Sequence, residues 1–226
     1  WTLGGQIGAA TLSVREKTGE KKVDIAAHSM GGLATRVYTV LPLYADDIRK
    51  IVFLGVPHAG VPLAKGFIAG LVGAIQGDEF ADTARKQQLP KSSFLTNLND
   101  IPVVSAIEYA TIAGDKLSDK WYLKFATWLI DSRFVGSPAE IISDNLVGVS
   151  SADYLGTCYQ HPVSHSDAMG TSLTSNSDVV QAAMNLFQNK PTGSMECLPY
   201  EEVLENAPAT PFTDTQFTTY HNSLPA

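Results

Sequence analysis

Ser29 stands in the segment Ala27-His28-Ser29-Met30-Gly31-Gly32. It comes directly after the short apolar run Val23–Ala27 and directly before a helical pattern, Leu33 to Val40. A serine on so sharp a strand-to-helix turn takes strained backbone angles, and the positions two before and two after it must be small. Ala27 and Gly31 meet that requirement. Such a turn lifts the hydroxyl clear of the sheet. The helix that follows aims its N-terminus at the same spot, where anionic charge is favoured. The backbone N–H of Met30 is then placed to support an oxyanion. The plainer alternative is that Ser29 only caps the helix. The buried run, the small neighbours and the helix together favour a nucleophile.

A serine hydroxyl is a weak nucleophile alone. It needs a histidine as base and a carboxylate to orient that base. The chain has five histidines, at 28, 58, 161, 165 and 221. His28 is inside the turn, with its ring expected to point away from Ser29. His58, in Gly55-Val56-Pro57-His58-Ala59-Gly60, reads as structural, and His221 falls near the chain end. When the nucleophile precedes acid and base, the base lies on a loop before the final helix. His161 and His165, in Gln160-His161-Pro162-Val163-Ser164-His165-Ser166-Asp167, both qualify. The same order leaves Asp144 and Asp115 as acids, with Asp153 less well placed.

These side chains need a scaffold. Gln6–Lys17 has helical spacing, with Arg15 and Lys17 near its end. Val23–Ala27 suits a strand buried on both faces. Ile51–Val56 is a second buried strand, so strand, helix and strand form a βαβ unit and imply a parallel sheet. Residues 61–100 carry an apolar helix face interrupted by Gly66, Gly70, Gly73 and Gly77, which reads as a flap. Val103–Ala113 is the next strand. Ser118–Asp131 is amphipathic, with Trp121, Phe125, Trp128 and Leu129 on one face. Asp178–Gln188 is the last helix. Residues 1–190 therefore form an α/β core, and 191–226 an extended tail.

Composition bounds the reading. The chain has 226 residues, 44% of them hydrophobic and 17% charged, as a folded domain with a sizeable core would. A net charge of −7 argues against nucleic acid or an anionic membrane gripped through a broad basic face. No apolar run approaches the roughly 20 residues that span a bilayer. Two cysteines cannot make a four-thiolate zinc site. Cys158 and Cys197 form either one disulfide or two buried thiols, and a bridge would mean an oxidising compartment. The chain starts at Trp1 with no signal segment ahead of it, so it reads as a processed product or a fragment.

Val23–Arg36, followed by Val52-Phe53-Leu54-Gly55-Val56-Pro57-His58-Ala59-Gly60, resembles the serine lipase/esterase branch of the α/β-hydrolases. Asp144-Asn145-Leu146-Val147-Gly148-Val149-Ser150-Ser151 is similar to the D-G-L-V-G-x-x-S segment of bacterial triacylglycerol lipases, whose Asp is the acid. Ser164-His165-Ser166-Asp167 is similar to their N-H-L-D segment, whose His is the base. The resemblance covers residues 3–60 and 140–175. It implies Asp144 over Asp115 and His165 over His161. It implies a doubly wound, mostly parallel sheet with an inserted helical lid, drawn from 61–100 and 118–131. It also implies secretion, a lipid or small ester substrate and transient contact with a lipid interface. The chemistry requires no cofactor.

In such lipases an Asp two after the base helps bind a structural calcium. Asp167 holds that position, but Thr171 stands where the accompanying Gln would be. The family also places an early strand ending in His-Gly, whose following loop gives the first oxyanion donor. Only 28 residues precede Ser29, and no His-Gly occurs. The missing N-terminal strands are expected on another chain or upstream. Two other readings share these residues: an acyl hydrolase for phospholipids or thioesters, and a non-catalytic binding domain of hydrolase shape.

Overall fold

The computed structural model describes residues 2–61, 86–116, 144, 146–153, 155–166 and 171–197. In chain order the elements are α1 (Thr2–Thr18), β1 (Val23–His28), α2 (Met30–Val40), β2 (Ile48–Leu54), α3 (Ser93–Asp100), β3 (Glu108–Gly114), α4 (Val149–Ala152), β4 (Thr157–His161), α5 (Ser177–Phe187) and β5 (Met195–Glu196). The sheet order is β1-β2-β3-β4-β5, with the first four strands parallel and β5 antiparallel to β4.

β2 shows how the sequence builds two layers at once. Side chains alternate across a strand, so Ile51 and Phe53 enter the core formed with Leu33, Val37 and Tyr38 of α2. Val52 and Leu54 enter the opposite core, with Val179, Ala182 and Ala183 of α5. Each of these strand residues has an apolar partner whichever way it points, which is why the segment reads as an unbroken apolar run.

The expectation for β1 needs correction. It is not buried on both faces: Ala26 is exposed, and Val23, Asp24, Ile25 and His28 are half-buried. Among the described residues β1 pairs on one side only, with β2. β3 starts at Glu108, later than expected, because Val104 and Ile107 close a turn first. The amphipathic stretch 118–131, residues 62–85 of the expected lid and His221 lie outside the described residues.

Two buried polar clusters fix how the helices sit. Asp47 accepts from Tyr38 Oη and Thr11 Oγ1, 2.9 Å each, and joins the start of β2 to α1 and α2. Arg36 of α2 donates to Asn99 Oδ1 at 2.8 Å and to the Leu98 carbonyl at 3.2 Å, and its Nη1 lies 3.2 Å from His58 Nδ1. Asn99 in turn donates to the His58 carbonyl. The Gly55–Gly60 segment is thereby tied to α2 and α3. His58 is 0% exposed, and burial first, then the Arg36 charge, lower its pKa to about 3. It is a neutral structural histidine, as expected.

The stretch that follows α5 is also pinned. Cys158 and Cys197 form a disulfide, and the Cys197 N–H donates to the Cys158 carbonyl. Within the expected tail, Met195–Glu196 forms the antiparallel strand β5.

Candidate active site

The parallel register aligns the carboxyl ends of four strands: His28 with Leu54, Leu54 with Ile112, Gly114 with His161. Loops leaving that edge of an α/β sheet are where its ligands bind. Ser29 leaves β1 there with φ 52° and ψ −132°. That backbone costs a non-glycine residue about 1–3 kcal/mol, and it is held in place by its surroundings. The Ser29 N–H donates to the Leu54 carbonyl, and the Ser29 carbonyl accepts from the Gly32 N–H. The Ser29 side chain makes no capping bond to α2, which removes the N-cap alternative.

Its Oγ instead lies 2.9 Å from His165 Nε2. His165 Nδ1 lies 2.8 Å from Asp144 Oδ2. A carboxylate only accepts, so Nδ1 carries the proton and Nε2 is free to accept from the hydroxyl. Asp144 Oδ1 accepts from the N–H groups of Leu146 at 3.0 Å and Val147 at 2.8 Å. Asp144 is 0% exposed and His165 3%. Three donors thus fix the orientation of the buried carboxylate. Met30 opens α2, where backbone N–H groups lack intrahelical acceptors.

The other candidates lie elsewhere. His161 Nε2 is 2.6 Å from Ser194 Oγ, and Asp115 Oδ2 accepts from Gln160. Burial raises the Asp115 pKa and lowers that of His161. Asp153 is exposed at the end of α4. Asp167, on which the calcium expectation rests, lies outside the described residues. Among those residues no group of three or more His, Cys, Asp or Glu is arranged to hold a metal ion.

Three contributors are not among the residues expected to build the site. His28 points toward the site: its ring centroid is 4.6 Å from that of His165, and its Nε2 is 3.0 Å from the His165 carbonyl. Gly55 has φ 53°. A Cβ there would lie 2.5 Å from Leu173 Cδ1, 2.9 Å from Asp144 Oδ2 and 3.2 Å from His165 Nδ1. The glycine that packing demands after the serine is Gly32, where a Cβ would meet Val56 Cγ2 at 2.2 Å. At Gly31 it would meet nothing within 4 Å among the described residues. The signal for Gly55 was present in Leu54-Gly55-Val56, a glycine ending a buried strand.

Comparison with known proteins agrees with this architecture. A model of the PGAP1-like alpha/beta domain matches residues 10–121. No curated protein sequence matches the chain. Among solved structures, a lipase of Bacillus licheniformis in mature form is similar, with a TM-score of 0.56 and 20% identity. The match covers 72% of this chain and 66% of that one. The propeptide form of the same lipase gives a TM-score of 0.59 at 18% identity, over 87% of this chain and 42% of that one. A metagenomic carboxyl esterase gives 0.51 at 17% identity, over 69% and 49%. The chain thus spans about two thirds or less of the length of each of these. At such identities the likeness is one of fold.

Proposed function

We propose that this chain, an α/β-hydrolase by fold, is a serine carboxylic ester hydrolase of lipase type, acting on acylglycerols or similar lipid esters through an acyl-enzyme. The observation that supports this best is the 2.9 Å approach of Ser29 Oγ to His165 Nε2 from a backbone bent to φ 52°. Ser29 Oγ gives its proton to His165 Nε2 as it attacks the carbonyl carbon. His165 passes that proton to the leaving alcohol oxygen. Asp144 keeps the ring oriented and offsets its transient charge. The Met30 N–H receives the oxyanion, a donor of a kind that contributes about 3 kcal/mol. Water, deprotonated by His165, then attacks the acyl carbon; the bond from that carbon to Ser29 Oγ breaks, His165 returns the proton to Oγ, and the acid is released. The chemistry needs no cofactor.

Residues 62–85 and 118–131 are proposed to cover the site and to touch the lipid interface transiently; α3, at the end of the expected 61–100 flap, instead packs Leu95 and Leu98 into the core. The Cys158–Cys197 bridge fits an oxidising, extracellular setting.

Fluorophosphonate labelling tests the reading. The parent protein should label at Ser29, Ser29→Ala should not, and His165→Ala should label at least about a hundredfold more slowly. If the full-length protein stays unlabelled, the binding-domain alternative is supported and the proposal is overturned. Turnover of glycerides, phospholipids and thioesters side by side then fixes the substrate class. A rate that climbs once a glyceride exceeds its solubility supports a lipase rather than a plain esterase.

A further inference from the structure

We propose that His28 is a positioning residue that clamps the main chain of His165 relative to Ser29, by donating Nε2–H to the His165 carbonyl at 3.0 Å. The inference rests on the serine hydrolase reading above, but it concerns a residue which that mechanism leaves idle.

His165 follows β4 on a loop, and loops are the less rigid parts of a fold. Its main chain is nevertheless held on both sides. Its N–H donates to the Asp144 carbonyl at 2.8 Å, and its own carbonyl faces His28 Nε2. A carbonyl can only accept, so His28 must be the Nε2–H tautomer. The two rings also lie against each other, 4.6 Å between centroids and tilted by 38°. His28 is bonded covalently to Ser29. The clamp therefore ties the base to the nucleophile's own backbone, a route that bypasses the 136-residue separation between Ser29 and His165.

Charge favours the arrangement. Burial first, then the neighbouring His165, lowers the His28 pKa, against smaller upward pulls from its bond to the His165 carbonyl and from Asp144. A neutral His28 keeps its donor without placing a second positive ring against His165 at the moment His165 becomes charged. An ångström of misplacement in such a line is enough for about a hundredfold in rate.

Three substitutions separate the donor from the ring. His28→Gln places an amide N–H where Nε2 was. His28→Asn has its amide too short to reach, and His28→Phe keeps a ring without a donor. With a soluble short-chain ester, His28→Asn and His28→Phe should lose about tenfold or more in kcat with KM within about twofold. His28→Gln should recover most of that loss, and the fluorophosphonate inactivation rates should follow the same order. Tm measured for each variant excludes global unfolding. The proposal is overturned if His28→Gln falls as far as the other two, if all three match the parent, or if the losses simply follow Tm. Nitrogen-15 NMR of the histidine-labelled parent gives a readout independent of turnover. An Nε2–H tautomer at His28 supports the clamp and an Nδ1–H tautomer overturns it, even if Ser29 proves inert and the hydrolase reading fails.

Discussion

Asp144 and His165 hold each other at two points, main chain to main chain and side chain to side chain, each at 2.8 Å. The double contact leaves the imidazole one orientation and one tautomer. Asp144→Asn keeps the main-chain bond but can turn an N–H toward Nδ1, which favours the wrong tautomer. We expect kcat to fall about 10³–10⁴-fold with the fold intact. Steady-state kinetics beside circular dichroism checks this; a loss under tenfold would remove Asp144 from the proposed role.

Gly55→Ala attacks the same pair from behind. The new methyl would stand 2.9 Å from Asp144 Oδ2 and 2.5 Å from Leu173 Cδ1, on a backbone at φ 53°. We expect at least about 1–2 kcal/mol of lost stability and a lower kcat. Urea unfolding and ester hydrolysis measured on one preparation would show whether both fall.

Gly31 and Gly32 adjoin in sequence but differ in consequence. Within the first turn of α2, Gly31→Ala meets open space among the described residues, and alanine gains up to about 1 kcal/mol of helix stability over glycine. Gly32→Ala must displace Val56 and should destabilise by about 1–3 kcal/mol. Opposite shifts in Tm are the expected result.

The pH dependence of stability follows from His58. Folded His58 resists protonation down to about pH 3, whereas the unfolded chain takes up that proton near the ordinary pKa of 6.5. Its contribution is complete above pH 6.5 and is lost as pH falls toward 3. Between pH 7 and pH 5 the loss is about 2 kcal/mol. His28 and His161 are shifted in the same direction and steepen the trend. His58→Asn, whose Oδ1 can still accept from Arg36, should start less stable and show a shallower slope in urea titrations across that range.

The elements that carry the site were readable because each has a local cause. The apolar runs at β1 and β2 and the spacing of α2 give the strand-turn-helix around Ser29 without any long-range information. Choosing among acids and bases was harder. Asp115 and His161 satisfy chain order as well as Asp144 and His165 do, and only resemblance separated them. The difference is three-dimensional: His161 ends β4 facing Ser194, whereas His165 lies four residues on, where the loop has turned back over Asp144. His28 was misread because the direction of a ring inside a turn depends on the loop that later packs against it. The half-exposure of β1 was missed because an apolar run reports affinity for a core, not a strand's position within the sheet.

The cystine linking Cys158 to Cys197 closes a covalent ring that contains His165 and all of α5. A protease nick anywhere within that ring would leave two pieces still joined. Nicked and intact molecules would then run together on a non-reducing gel and separate only after thiol treatment. The base is thus tethered to the sheet by a connection that a cut on either side of it does not sever.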